Sequence, residues 1–124
     1  MEKKAIHSDQ APAAIGPYSQ AIVCNGFVFT CGQIGMNAEG VMAEGLTAQT
    51  RQALENLQAV LEAAGSSMDK VVKCLVFLRD MADFAAVNEV YAEFFKQPCP
   101  ARSCVAVAGL PKDGLVEIEC VAAV

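Results

Sequence analysis

Residues 98–124 read PCPARSCVAVAGLPKDGLVEIECVAAV, a pattern typical of two apolar strands joined by a Pro-Lys-Asp-Gly turn. Charged residues interrupt both strands, because Arg102 opens the first and Glu117 and Glu119 lie in the second. Side chains alternate along a strand, so Arg102 shares a face with Cys104, and the two glutamates share a face of their own. If the two strands pair across the turn, Arg102 lies near a carboxylate.

Two interpretations of these charges stay open on the sequence alone. An exposed ion pair at the edge of a sheet would contribute little to stability. Alternatively, the planar guanidinium of Arg102 can hold the carboxylate of a small acid through two parallel hydrogen bonds, while Glu117 moves protons or holds a water. Composition alone favours the ion pair.

A hairpin is predicted upstream of this stretch. Asn25-Gly26 lies between two β-rich runs, and this dipeptide favours a two-residue turn because both central residues need positive φ. The pattern predicts strands over 20–24 and 27–32. A loop rich in glycine and small residues follows.

Two helices and another strand complete the middle of the chain. Apolar residues at helical spacing predict a helix over 47–64, with Thr47 as its N-cap and Gly65 just past its end. The β-branched segment 70–80 predicts a mostly buried strand. A second helix is predicted over 83–95.

This order, β-β-α-β-α-β-β, predicts a single α+β domain over residues 1–124, with two helices packed on one face of a mixed sheet. Two helices can cover only one face. The segments FVFT, CLVFL and SCVAVAGL are nevertheless apolar on both faces. We therefore expect the uncovered face to pack against another subunit, and identical chains usually do this in a closed ring.

Composition and charge narrow the possible functions. The chain of 124 residues is 54% hydrophobic, yet no apolar run approaches the roughly 18 residues of a membrane helix. The opening MEKKAIHSDQAP has neither a signal-peptide nor a lipid-anchor pattern, so we expect a cytoplasmic protein. A formal net charge of -5 with scattered Lys and Arg disfavours nucleic-acid binding.

The six cysteines are predicted to be reduced, mostly buried thiols, because no export signal places the chain in an oxidising compartment. No Cys-x-x-Cys motif occurs and His7 is the only histidine, so a metal site is not expected. We expect the N-terminal segment around His7 to be mobile, which disfavours a catalytic triad. Cys104 is interpreted as a packed thiol, since no neighbouring base would form its thiolate.

Three further positions are candidates for a pocket. Tyr18 follows a Gly-Pro corner, where a partly buried aromatic is the simpler interpretation and a pocket wall is the alternative. Gly32 interrupts a strand, which indicates a bulge or a close approach of the backbone to another group. Asn88, among apolar residues of the second helix, is either a surface asparagine or a polar contact at an interface.

Five motifs follow one another along the chain: APAAIGPYSQAI, FTCGQIG, ALENLQAVLEAAG, DFAAVNEVYAEFF and PARSCVAVAGLPKDGLVEIECVA. Together, and in this order, they resemble the Rid family of reactive-intermediate imine deaminases, close to its RidA branch. The resemblance covers essentially the whole chain. It implies a chorismate-mutase-like α+β fold and a homotrimer whose sheets line a central barrel, with three pockets between neighbouring subunits.

The resemblance also implies an activity, the hydrolysis of 2-iminoacids and their enamines to 2-oxoacids and ammonia without a cofactor. The implied substrates are 2-iminobutanoate and 2-iminopropanoate, which pyridoxal-phosphate dehydratases would release from threonine or serine. Arg102 would hold the substrate carboxylate, and Glu117 would position water and serve the leaving ammonia. Tyr18 would wall the pocket. Backbone groups of Gly32 and Cys104 would approach ligand and water.

Cys31 and Asn88 complete the predicted substrate-binding set. Relatives usually have serine at the position of Cys31, so the resemblance implies a weaker polar contact or a narrower substrate range there. Two other functions stay open: a non-catalytic trimer that binds small carboxylates for regulation, and an endoribonuclease that inhibits translation. The acidic charge and the lack of a well-placed histidine disfavour the endoribonuclease.

Overall fold

A seven-stranded sheet with two helices on one face forms the fold of residues 2–124. The computed structural model describes residues 2–124. The helices are α1 (Leu46–Ala63) and α2 (Phe84–Tyr91). The strands are β1 (Lys3–Ile6), β2 (Ala21–Cys24), β3 (Phe27–Thr30), β4 (Gln33–Ile34), β5 (Val71–Leu78), β6 (Ala101–Ala106) and β7 (Val116–Ala123). The predicted α+β class is confirmed.

The strand order is β1-β2-β3-β7-β5-β6, with the short β4 paired to β7. Neighbouring strands are antiparallel except for β5 and β6, which run parallel. The two C-terminal strands do not pair with each other, so the condition under which Arg102 would lie near a carboxylate of its own chain is not met. Pro111–Asp113 form a short 3-10 helix, and the chain crosses β5 before β7 begins, so β6 lies at the sheet edge and β7 inside the sheet.

The hydrophobic core lies between the helices and one face of the sheet. Alternate residues of β7 are buried, as the period of a strand requires, and Val76 and Ile118 are fully covered. From α1, Leu54, Leu57 and Leu61 fill the same core. The helical spacing of these leucines is the reason that the sequence predicts this helix correctly.

The opposite face of the sheet is not covered by any helix of residues 2–124. Phe27 and Phe29 of β3 lie on this face and are 41% and 46% exposed. Val105 of β6 lies on the same face and is also exposed. We call this side of the sheet the open face. Exposed apolar patches of this kind usually mark interaction surfaces.

Local turn chemistry follows the sequence closely, with one exception. Asn25 and Gly26 have φ values of 53° and 83°, which confirms the predicted hairpin turn. Gly65, with φ of 81°, lies just past the end of α1 as predicted. The N-cap is Gly45 rather than Thr47, because the helix already begins at Leu46.

The N-terminal segment is ordered, so the expectation of mobility is wrong. Lys3–Ile6 pairs with β2, and the buried side chain of Gln20 anchors the residues that follow. Its Oε1 accepts a hydrogen bond from the Ser8 amide at 2.7 Å, and its Nε2 donates one to the Pro12 carbonyl at 2.7 Å. Gln20 thereby fixes the start of the loop that carries Tyr18.

All six cysteines are free thiols, as predicted. Only Cys74 and Cys120 are buried, so the prediction of mostly buried thiols is wrong. Three others, Cys24, Cys31 and Cys104, are partly exposed in this single chain, and Cys99 is exposed. Among the described residues, no helix has both the length and the apolar character needed to cross a membrane.

Candidate functional site

The predicted site residues lie in two groups on opposite faces of the sheet. Arg102 is directly opposite Cys74 of β5, and Glu117 is directly opposite Phe77 of the same strand. Directly paired residues point to the same face, whereas Cys74 and Phe77 are an odd number of positions apart and point to opposite faces. Within one chain, Arg102 and Glu117 therefore cannot contact the same small molecule.

The first group lines a cavity of about 440 Å³. Glu117, Tyr18, Cys31 and Gly32 all contribute to its wall. Glu117 is half-buried and extends from β7 on the open face. The structure thus brings together residues from three separate stretches of the sequence.

Gly32 lies directly beneath the Glu117 side chain. A Cβ atom at this position would be 2.7 Å from the carboxyl carbon of Glu117, which is closer than nonbonded carbon atoms can approach. Between the pairs Phe29–Val121 and Gln33–Ile118, the strand with Gly32 has one residue more than β7, so the predicted bulge is confirmed. The bulge makes room for the carboxyl group.

The sequence did not identify the other residues that line the Glu117 cavity. The Ile15 amide donates a hydrogen bond to the Tyr18 hydroxyl oxygen at 3.3 Å, which folds the loop before β2 back on itself. The remaining walls are mostly apolar, and no local pattern distinguishes them from ordinary loop residues. They include Pro12, Ile15, Ile34, Met36, Pro111 and Lys112.

Two buried amides of α1 hold the strands that frame this cavity. Gln49 Oε1 accepts a hydrogen bond from the Leu115 amide at 2.9 Å, just before β7. Asn56 Nδ2 donates to the carbonyls of Ile34 and Met36, at 3.3 Å and 2.7 Å. Asn56 lies within the apolar stripe of α1, and this polar interruption is the signal that could have identified it.

The electrostatic environment of Glu117 favours its neutral form. Burial raises the pKa of the Glu117 carboxyl, and the negative charge of Glu119, on the same face of β7, raises that pKa further. A carboxyl group whose pKa moves toward neutrality exchanges protons more effectively in that range. The environment of Glu117 is therefore suited to proton transfer.

We expect Glu119→Gln to lower the pKa of Glu117, because it removes the second cause of the shift. The folded protein holds this proton more tightly than the unfolded chain. The contribution of Glu117 to the free energy of unfolding is therefore greatest below its unfolded-state pKa and declines as pH rises through the higher folded-state pKa. An NMR titration of the Glu117 side-chain carboxyl, in the wild type and in Glu119→Gln, measures the raised pKa and its expected decrease. A pKa unaffected by Glu119→Gln would contradict this account.

Gly32 and Gly35 should respond differently to alanine substitution. At Gly35, a Cβ atom would be 2.4 Å from the Cα atom of Gln49, so Gly35→Ala forces α1 away and should cost about 1–3 kcal/mol of stability. At Gly32, the obstacle is the flexible end of Glu117, so Gly32→Ala should displace that carboxyl with a smaller loss. Denaturant unfolding compares the two variants. An equal loss of stability in both would refute the distinction.

Cys31 carries a protonated thiol at the cavity wall. Burial raises its pKa most, the negative charge of Glu117 adds to this, and a hydrogen bond from Gln33 opposes it. That bond runs from Gln33 Nε2 to the sulfur at 3.5 Å. The thiol can therefore offer a weak hydrogen bond to a ligand, but it is poorly suited to nucleophilic attack.

The second group surrounds Arg102 on the helix-covered face. Nη1 of Arg102 donates a hydrogen bond to Asn88 Oδ1 at 2.8 Å. The guanidinium carbon lies 4.7 Å from the centre of the Tyr91 ring and 5.4 Å from that of Phe84. Asn88 is thus a partner of Arg102. The two aromatic rings were not predicted as part of the site.

Cys104 follows Arg102 on the same face of β6 and is half-buried. Burial raises the pKa of its thiol, and the positive charge of Arg102 offsets only part of that effect. The thiol is therefore held in its protonated form. This environment agrees with the prediction of a packed thiol rather than a nucleophile.

The fold and these two groups define a class of small α+β protein in which one sheet carries separate polar clusters on its two faces. The profile of the family described as Endoribonuclease L-PSP matches residues 8–124. The chain therefore belongs to this family, and its relatives include proteins named for the RutC family and a Reactive Intermediate Deaminase A. The resemblance noted in the sequence is confirmed.

Individual relatives match over nearly the whole chain. A RutC family protein of Synechocystis is 55% identical, with 98% of this chain and 97% of the relative covered. The 2-iminobutanoate/2-iminopropanoate deaminase of Salmonella typhimurium is 49% identical, with 96% of each chain covered. A crystal structure from Entamoeba histolytica, which carries the name endoribonuclease L-PSP, superposes with a TM-score of 0.96 at 48% identity, covering 99% of this chain and 100% of the other.

Proposed function

We propose that this protein hydrolyses reactive 2-iminoacids and their enamine tautomers to 2-oxoacids and ammonia. The observation that carries the proposal is the Glu117 carboxyl, held above Gly32 in a cavity that Tyr18 and Cys31 also line. The 49% identity to a relative named 2-iminobutanoate/2-iminopropanoate deaminase supports the same substrates. Pyridoxal-phosphate dehydratases in the cytoplasm would supply them.

The complete site would form between two copies of the chain in a homotrimer. Arg102 and Glu117 point to opposite faces of one sheet, so a substrate that needs both must take them from different subunits. The open face, with Phe27 and Phe29 exposed, supports packing of the sheets around a central barrel. A closed ring then gives every copy the same two neighbours.

Arg102 would bind the substrate carboxylate through its planar fork of N–H donors. This contact fixes the imine carbon C2 relative to Glu117 of the neighbouring subunit. A protonated imine is already electrophilic, so much of the acceleration comes from holding it against an ordered water. Tyr18 and Cys31 would bound the rest of the pocket.

Proton transfer by Glu117 completes the reaction. The carboxylate takes a proton from water as the water oxygen bonds to C2, and the C=N electron pair moves to nitrogen. Glu117 then returns the proton to the amino nitrogen of the carbinolamine. The C–N bond breaks as the hydroxyl oxygen forms the carbonyl, and the departing ammonia takes the hydroxyl proton. The products are a 2-oxoacid and ammonium.

The direct test is release of 2-oxobutanoate from 2-iminobutanoate that a threonine dehydratase generates in place. We expect release faster than the spontaneous rate and proportional to the protein added. The control is the same protein after heat denaturation. A folded protein that leaves the spontaneous rate unchanged would rule out the proposed activity.

A mixing experiment tests the shared site. Arg102→Ala and Glu117→Gln chains, each strongly impaired alone, are unfolded together in equal amounts and refolded. Random assembly gives an intact Arg102–Glu117 pair at about a quarter of the sites, so about a quarter of the wild-type activity should return. The matched control replaces one partner with the double variant, which supplies no intact pair. Failure of correctly assembled mixtures to recover activity would rule out a site that combines Arg102 of one chain with Glu117 of its neighbour.

RNA cleavage is a second candidate, because the family profile carries an endoribonuclease description. The net charge of -5 counts against it, since phosphate contacts normally require a basic surface. A nuclease assay on purified wild type and Arg102→Ala decides the matter. Cleavage that disappears with the substitution would favour this function, whereas cleavage that disappears on further purification would exclude it.

A further inference from the structure

One face of α2 surrounds the Arg102 side chain. Phe84, Asn88 and Tyr91 are spaced by four and three residues, so they lie on the same side of the helix. Asn88 accepts a hydrogen bond from the guanidinium at 2.8 Å, and both rings lie within cation–π distance of it. We call these three residues the α2 cradle.

The cradle holds Arg102 without neutralising it. The two ion pairs found within residues 2–124 join His7 to Asp9 and Arg51 to Glu93, and neither involves Arg102. Asn88 is uncharged, and an aromatic ring attracts a cation through its quadrupole without forming a salt bridge. A carboxylate partner would instead compete with an acidic ligand for the same donors.

The two rings differ in what else they contribute. Tyr91 is 7% exposed and packs in the core, so it also supports the fold. Phe84 is 40% exposed, so its contact with Arg102 can be altered with little effect on packing. Phe84 is therefore the residue on which the cradle can be tested separately from stability.

We propose that Phe84 and Tyr91 are positioning residues that orient the Arg102 guanidinium so that its remaining N–H donors face a carboxylate ligand. The inference rests on the proposed function, because it takes Arg102 as the group that binds the substrate carboxylate. It adds that α2 determines the affinity of this site through residues that do not touch the ligand.

The test measures the affinity of the whole assembled protein for 2-oxobutanoate by NMR titration. Phe84→Leu removes the ring and keeps an apolar side chain of similar size, so the Kd should rise about two- to fivefold. Phe84→Tyr and Tyr91→Phe keep the rings and should retain wild-type affinity. A Phe84→Leu variant with unchanged affinity would overturn the inference.

A double-mutant cycle shows whether Phe84 acts through Arg102. In the Arg102→Ala background, Phe84→Leu should leave the Kd unchanged, whereas a merely structural role would weaken binding equally in both backgrounds and overturn the inference. If Arg102→Ala itself has no effect on the Kd, both the inference and the proposed carboxylate contact fail. If the cycle behaves as expected but imine hydrolysis is absent, the inference stands and the proposed function fails.

Discussion

Arg102→Ala should lower kcat/KM for 2-iminobutanoate by roughly 30- to 3,000-fold, the usual cost of truncating one partner of a desolvated charge pair. The substitution removes the fork of donors that would hold the substrate carboxylate. Arg102 makes no salt bridge within residues 2–124, and its hydrogen-bond partner Asn88 is partly exposed to water. Its loss therefore leaves no charge unpaired and should leave the fold and the assembly state unchanged. Steady-state kinetics measure kcat/KM, and circular dichroism and light scattering on the same samples report the fold and the assembly state.

Two further variants show whether the effect of Arg102→Ala is specific to the guanidinium at this position. Arg102→Lys keeps the charge but loses the planar fork, so it should fall between the wild type and Arg102→Ala. Arg79 is an exposed arginine just after β5, and its side chain donates a hydrogen bond to the Asp113 carbonyl. Arg79→Ala should leave kcat/KM unchanged. Near wild-type turnover by a folded Arg102→Ala protein would remove Arg102 from the mechanism.

Glu117→Gln should lower kcat by about 10²- to 10⁴-fold, the range for loss of a positioned general acid–base group. Binding of 2-oxobutanoate should survive, because the proposed carboxylate contact belongs to Arg102. Stability should not fall, since burial and Glu119 already make the Glu117 charge unfavourable in the folded protein. Single-turnover kinetics measure the chemical step, titration with 2-oxobutanoate measures binding, and denaturant unfolding measures stability.

Glu119→Gln is the matched control for Glu117→Gln, because it removes a carboxylate two residues away on the same face. It should keep most of the turnover and move the acidic limb of the pH–rate profile to lower pH. A Glu117→Gln protein that loses neither binding nor turnover would show that Glu117 is not the catalytic group. Intact binding without any turnover in the wild type would instead favour the regulatory carboxylate-binding function.

Local patterns predicted most of the elements. The Asn25-Gly26 turn and the end of α1 at Gly65 depend on backbone conformations that few residues adopt, so short stretches of sequence are sufficient. The stripe of leucines in α1 reflects burial against a sheet, whichever strands compose it. These elements could be predicted because the residues that determine them are close together in the sequence.

Strand pairing could not be predicted in the same way. The short connection at Pro111–Asp113 suggested that β6 and β7 form a hairpin, yet β6 pairs with β5. The order β5-α2-β6 is a strand-helix-strand crossover, which favours parallel neighbours, and this competing signal was present in the sequence. Because the pairing sets which residues share a face, a β6–β7 hairpin would bring Arg102 near the glutamates of its own β7, whereas the observed sheet places Arg102 and Glu117 on opposite faces.

The site residues show the same limit. Gly32 was predicted as a bulge or a close approach of the backbone to another group, and the structure has both. The sequence did not show that the group is the Glu117 side chain, more than 80 residues away. Asn88 had two interpretations, and only the three-dimensional position of Arg102 distinguishes them. A glycine inside a strand or an asparagine inside an apolar helix face indicates that another group lies close by. Which group it is depends on the three-dimensional fold.

The placement of Arg102 and Glu117 on opposite faces has a genetic consequence for the proposed ring. Each chain would lend its arginine to one neighbour and its glutamate to the other, so every copy borders two pockets. A chain with both residues damaged that still assembles would silence both pockets that it borders, although its neighbours are intact. Such an allele should act dominantly, whereas an allele that prevents folding should be recessive.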